Sequence, residues 1–181
     1  MKLFQVLAAA FLLSSHATAA DPVEINPPYP ALGLIKTVTL EVNDAVTGGC
    51  WTNKERVEAN TRLKLQQSGI AVEDEVTKYR EPTEAAIYIL ANGSKVFGDY
   101  CVANVEVSIV RNDWAVHDPV YIATVVRLYK KGGVVAGPAP INNSITSMVE
   151  SFITKFAADV VKYRRAPVVK EALRRLEAGS P

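Results

Sequence analysis

Tyr100-Cys101-Val102-Ala103-Asn104-Val105-Glu106-Val107-Ser108-Ile109-Val110 alternates without a break. Cys101, Ala103, Val105, Val107 and Ile109 fall on one side, and Asn104, Glu106 and Ser108 on the other. A period of two is that of a pleated strand with one face in a core and the other in water, so the chain holds a sheet covered on one side only. Downstream, Arg111 to Pro119 reads as a polar connection around Asn112-Asp113, and Val120 to Tyr129 as a second strand with Ile122, Thr124, Val126 and Leu128 on one face. Two such runs in succession predict an antiparallel hairpin. Lys130-Lys131-Gly132-Gly133 reads as a turn, and Val134-Val135 as a short edge strand before Gly137-Pro138-Ala139-Pro140 ends pairing. Upstream, Ala86 to Ala91 is a strand closed by the turn signal Asn92-Gly93-Ser94. Ile35 to Asn43, with Val38, Leu40 and Val42 alternating with Thr37, Thr39 and Glu41, is the first strand.

A one-sided sheet needs a cover, and two helical stretches supply it. After Gly48-Gly49-Cys50-Trp51, the spacing of Thr52 and Glu55 is that of a capping box. The helix it opens places Val57, Thr61 and Leu65 on one side with Leu63 beside them, and stops at Ser68-Gly69 with Ile70 folding back. Its charged residues, Lys54, Glu58, Arg62 and Lys64, read as a solvated face. From Asn143 or Ser144 onward, Ile145, Met148, Val149, Phe152, Phe156, Val160 and Tyr163 recur at three- and four-residue spacings, the stripe of a long helix lying on a core. Pro167 interrupts it, and Val168 to Glu177 predicts a shorter amphipathic helix.

The expected fold is therefore α+β: a mostly antiparallel sheet of about four strands, with two main helices on one face, in the order β-α-β-β-β-α. Residues 34–165 are expected to form the single domain. Residues 21–33 form a Pro-rich lead-in with Pro22, Pro27, Pro28 and Pro30, and residues 166–181 a basic helix and tail. Ile70-Ala71-Val72 reads as a short extended piece before the acidic run Glu73-Asp74-Glu75, a solvated loop lacking the staggered donors of a calcium site.

Residues 1–20 have the form of a cleaved export signal: Lys2, an apolar run from Leu3 to Leu13 broken by Gln5, then small residues that place cleavage near Ala19 or Ala20. The run is too short to span a bilayer, so the expected location is periplasmic or secreted, with no transmembrane segment in the mature chain. In that oxidising setting the two cysteines, Cys50 and Cys101, are expected to form one disulfide.

Charge narrows the function further. Of the 20 Lys and Arg, the signal removes Lys2 and no carboxylate, so the remaining 19 basic residues balance the 19 Asp and Glu. No overall field favours nucleic acid. His16 leaves with the signal and His117 stands alone in a turn, without a GxSxG elbow and with both thiols oxidised. Nucleophilic catalysis and a transition-metal centre are therefore disfavoured. The glycine pairs lack any phosphate-loop pattern. Neither a catalytic residue nor a cofactor or metal site is assigned. A pair of carboxylates acting on an envelope polymer is the remaining enzymatic alternative, and its separation is a three-dimensional quantity.

Two features are candidates for interaction. Trp114 lies in the polar connection, where it either stands exposed as an interface anchor or folds back on the core. Toward the C-terminus Lys155, Lys162, Arg164, Arg165, Lys170, Arg174 and Arg175 outnumber Asp159, Glu171 and Glu177, a basic surface suited to an anionic lipid or an acidic envelope protein, or else simply a solvated face. An open strand edge pairing with a second copy is a third way to associate.

Leu63-Lys64-Leu65-Gln66-Gln67-Ser68-Gly69-Ile70-Ala71-Val72 resembles the helix-to-strand passage of the exported CsgG, LpoB and TolB amino-terminal domains. Tyr121 to Leu128 followed by the Asn143 to Tyr163 helix resembles their last strand and closing helix. The resemblance lies in the order of elements over residues 35–165 and does not extend to Cys50 and Cys101. It implies a protein-binding or envelope-assembly adaptor, so the expected function is an exported, non-catalytic binding domain of the cell envelope.

Overall fold

The alternation at Tyr100–Val110 is the middle of a much longer strand. A computed structural model describes residues 23–25, 29–74 and 81–179, with the backbone alone at Tyr29, Val116 and His117. The expected export signal, residues 21–22 and 26–28 of the Pro-rich lead-in, Glu75 and the His117 side chain lie outside the described residues. The chain runs through a 3₁₀ turn (Tyr29–Leu34), β1 (Thr37–Val46), α1 (Lys54–Gln67), β2 (Ala71–Glu73), β3 (Glu84–Phe97), β4 (Tyr100–His117), β5 (Val120–Pro138), α2 (Asn142–Arg164) and α3 (Pro167–Glu177).

The fold is mixed α+β, but the sheet has five strands, in the order β2-β1-β3-β4-β5, rather than about four. Most of its ladder is antiparallel, in the β3-β4-β5 meander, but β1 pairs in parallel with both β2 and β3. The β1–β2 pair is parallel because α1 carries the chain back between the two strands as a crossover.

Both expected turns inside strands are instead paired backbone. Asn92↔Asn104 and Gly93↔Ala103 continue the β3–β4 ladder, and the chain reverses at Gly98, with φ of 51°. Gly93 is there for close approach, because a Cβ on it would collide with the Val102 carbonyl and the Ala103 backbone. In β5, Lys130↔Ser108, Lys131↔Val107, Gly132↔Glu106 and Gly133↔Val105 are all ladder pairs. The false turn signal has a cause. The register shifts between Ile109 and Val110, which face Tyr129 and Arg127, leaving Leu128 as the extra residue of a β-bulge. Leu128 and Tyr129 are both buried, so the alternation changes parity at that point and stops looking like a strand.

The core lies between one sheet face and the helices. Val38, Val42, Ala85, Ile87, Ile89, Ala91, Cys101, Ala103, Val105, Val107 and Ile109 meet Val57 and Leu65 of α1 and Ile145, Val149, Ile153, Phe156 and Val160 of α2. Leu63 is exposed rather than packed beside them. At the end of α1, Gly69 takes φ of 72° and the Ile70 amide donates to the Leu65 carbonyl at 3.0 Å, folding Ile70 into the core.

The start of α1 differs from the expected capping box. The Thr52 amide donates to Asn142 Oδ1 and Thr52 Oγ1 accepts from Asn142 Nδ2, both at 2.9 Å, so Thr52 ties the two helix starts together. Asn53 precedes the helix without a side-chain cap. Its amide accepts from Trp51 Nε1 at 2.6 Å and donates to Thr146 Oγ1 at 3.2 Å. Beside this clasp, Cys50 and Cys101 form a disulfide that joins the β1–α1 loop to the start of β4.

Where the lead-in enters the molecule it packs. Leu32 is buried in the main core, and Gly33 lies so close to α2 that a Cβ would come within 2.6 Å of the Tyr163 backbone. Leu34 joins Val169 and Ala172 of α3 in a satellite cluster.

Candidate interaction surface

β4 and β5 outrun the rest of the sheet. The last β3–β4 pair is Ala86↔Val110, yet β4 and β5 go on pairing for seven more positions, from Arg111↔Val126 to His117↔Val120. At about 3.3 Å per residue this makes a two-stranded ribbon roughly 23 Å long beyond the last β3 contact. The stretch expected to be a polar connection is thus strand up to His117, and the chain turns at Asp118-Pro119. Arg111 anchors the base of the ribbon, donating to the Pro82 carbonyl at 3.2 Å and to Asp113 Oδ2 at 3.0 Å.

Directly paired residues share a face, so register sorts the ribbon's side chains. Trp114 with Ala123, Asn112 with Val125, and Tyr121 two residues along β5, lie on the face continuous with the outer, helix-free side of the sheet. Ala115 with Ile122, and Val120 two residues along β5, lie on the helix side. Trp114, Tyr121 and Val125 are 48%, 69% and 63% exposed, so Trp114 does not fold back on the core. Val120 and Ile122 are exposed as well. Large apolar side chains on both faces of a projecting ribbon form a surface shaped for contact. A second aromatic feature, Phe97 stacked on Tyr100 with ring centroids 5.4 Å apart, sits at the opposite end of the sheet.

The basic C-terminal residues do not come together as one surface. Arg164 is half-buried and bonds backbone, with Nη2 donating to the Ile35 carbonyl at 2.6 Å and Nη1 to the Gly69 carbonyl at 3.3 Å. Burial lowers its pKa from the ordinary arginine value. Arg174 and Arg175 converge on Glu171 at 2.7 and 2.9 Å, and their hydrogen bonds hold its carboxyl down at about 2. Arg165 and Lys170 are exposed.

Lys155 and Lys162, from the same basic run, turn toward the edge strand instead. They line a groove of about 490 Å³ between α2 and β5, together with Arg127, Leu128, Tyr129, Lys130, Lys131, Asp159 and Tyr163. Tyr129 donates to the Phe152 carbonyl at 3.3 Å, and burial, assisted by the Asp159 charge, raises its pKa. Two other grooves run along α2. The first, against α1, holds Glu150 as its one carboxylate, and the second is lined by Lys64, Lys162 and Arg165 with none.

Sequence reasoning singled out Trp114 but missed Tyr121 and Val125, because an alternating strand reads alike whether it is buried in a sheet or stands free of one. The contiguous Val120-Tyr121-Ile122, apolar on both faces, is the signal that was there to be read.

Neither a protein-family model nor a curated protein matches the chain. Among solved structures, it is similar to a minor lipoprotein from Acinetobacter baumannii at 12% identity and a TM-score of 0.30, covering 70% of this chain and 88% of that one. It is also similar to the PelC dodecamer from Paraburkholderia phytofirmans at 12% identity and a TM-score of 0.36, covering 70% and 89%.

Proposed function

We propose that this is an exported, non-catalytic binding or adaptor domain of the cell envelope that engages a partner protein through the β4–β5 ribbon. The observation that carries the reading is the exposure of Trp114, Tyr121 and Val125 on a ribbon that no other described strand pairs with. Aromatic side chains held on a rigid backbone lose little entropy on binding, which makes them suitable interface anchors. The disulfide and the export-signal pattern at residues 1–20, with cleavage near Ala19 or Ala20, support a periplasmic or secreted location. No described helix is long and apolar enough to cross a membrane. The resemblance of the sequence's element order to the CsgG, LpoB and TolB amino-terminal domains supports an adaptor role by analogy of fold.

An enzyme cleaving an envelope polymer between two carboxylates has less support, because none of the three grooves along α2 holds two. The test is a crosslinking pull-down from the native envelope with the wild-type chain, Trp114→Ala and Tyr121→Ala, each first shown to unfold at the wild-type temperature. The reading expects a specific protein with the wild type that is lost in both variants. Equal recovery from all three, or no specific protein from any, overturns it.

A further inference from the structure

The groove between α2 and β5 has a composition that the ribbon does not explain. Lys131, opposite Val107 on the helix side, joins Lys155 and Lys162 of α2 there against the single carboxylate of Asp159, while Arg127 and Lys130, opposite Val110 and Ser108, project to the outer face. Of the three, Lys155 is already compensated, lying 3.7 Å from Asp159. Lys131 and Lys162 have no carboxylate partner among the described residues, and Lys162 sits 5.3 Å from the centre of the Tyr163 ring. Like charges held together on two rigid elements repel, and a bound anion removes that cost. The balanced charge of the whole chain makes this local excess a feature of the groove, and not of the composition.

We propose that this groove binds a water-soluble, hydroxyl-rich polyanion, a saccharide carrying carboxylate or phosphate groups. The uncompensated cations meet the anionic groups. Asp159 and the outward backbone groups of β5, an edge strand with no described partner on that side, meet the hydroxyls. The lining also argues against a lipid surface. Of its apolar members Leu128 and Tyr129 are buried and Tyr163, beside Lys162, is half-buried, so the lining offers a bilayer no fully exposed large apolar side chain. The groove opens on the helix side of the sheet, whereas Trp114 lies on the other, so this site stands or falls independently of the ribbon.

The test is a titration of the full mature protein, followed by amide chemical shifts, with a tetragalacturonate oligosaccharide in one arm and fructose 1,6-bisphosphate in the other. Vesicles containing phosphatidylglycerol form a third arm. Saturable shifts at residues 127–131 and 155–163 are expected with at least one saccharide, and which one responds separates carboxylate from phosphate recognition. Affinity should fall about tenfold or more in Lys131→Gln/Lys162→Gln while Lys54→Gln, on α1, leaves it unchanged. Millimolar saccharide without saturation, equal binding by the double variant, or a response confined to the vesicles overturns the proposal.

Discussion

Arg164 shows how a residue's chemistry is set by where its backbone lies. In the sequence it belongs to a basic run, yet its guanidinium joins the Ile35 carbonyl, before β1, to the Gly69 carbonyl, after α1. Arg164→Ala should lower unfolding free energy by about 2 kcal/mol, because charge-assisted bonds to otherwise unpaired carbonyls are lost. Arg165→Ala, at an exposed site, should change it by less than about 0.5 kcal/mol, and urea unfolding of the pair checks both. Glu171 is the second residue whose surroundings decide its behaviour. Its carboxyl is lowered to about 2 in the folded protein by Arg174 and Arg175, from an ordinary 4.5. A depressed folded value means that the stabilisation is fully present above about pH 4.5 and is lost as the pH falls through about 2. The triad is on the surface, so the effect on stability is small. The carboxyl carbon resonance of Glu171 should titrate with a midpoint near 2, and a midpoint above 4 contradicts the contact.

At the scale of elements, α1, α2 and the centre of β4 were legible because each has an unbroken period. The Val57, Thr61 and Leu65 side of α1 and the alternation from Cys101 to Ile109 are buried as read. What failed was the treatment of glycine as punctuation. Asn92-Gly93 and Gly132-Gly133 carry the composition of turns, but these glycines sit where another chain segment passes close. A Cβ on Gly133 would come within 3.0 Å of the Met148 side chain, and one on Gly93 would strike the β4 backbone. A single sequence does not separate a glycine needed for its dihedral freedom from one needed for its missing side chain. Gly93→Ala should therefore destabilise by about 1–3 kcal/mol through overpacking, measured as a fall in the denaturation midpoint at constant slope. A turn at Asn92-Gly93 would accept alanine with less loss. The bulge at Leu128 was equally hidden, because its effect is to break the alternation that reveals strands. It sits at the base of the ribbon, where the extra residue bends β5 and sets the ribbon's direction relative to the sheet.

At the scale of the molecule, the disulfide and the ribbon play opposite parts. The bond closes a loop with a sequence separation of 51 residues and fastens β1, α1 and β4 at one place. Cys50→Ala/Cys101→Ala should lose about 4 kcal/mol, the chain-entropy value for such a loop, and thermal unfolding with and without reductant tests it. The order of parallel and antiparallel pairs was not legible, because β2 is only three residues long and the crossover through α1 is a property of tertiary packing. The ribbon lies beyond the last β3 pair, and its exposed aromatics are the anchors of the proposed binding role. That role is tested most directly by hydroxyl-radical footprinting of the protein in the native envelope and after purification. Trp114 and Tyr121 should be protected in the envelope and reactive in the purified protein, while Phe97, at the other end of the sheet, should react equally in both. Equal labelling of Trp114 and Tyr121 in the two states would contradict the account.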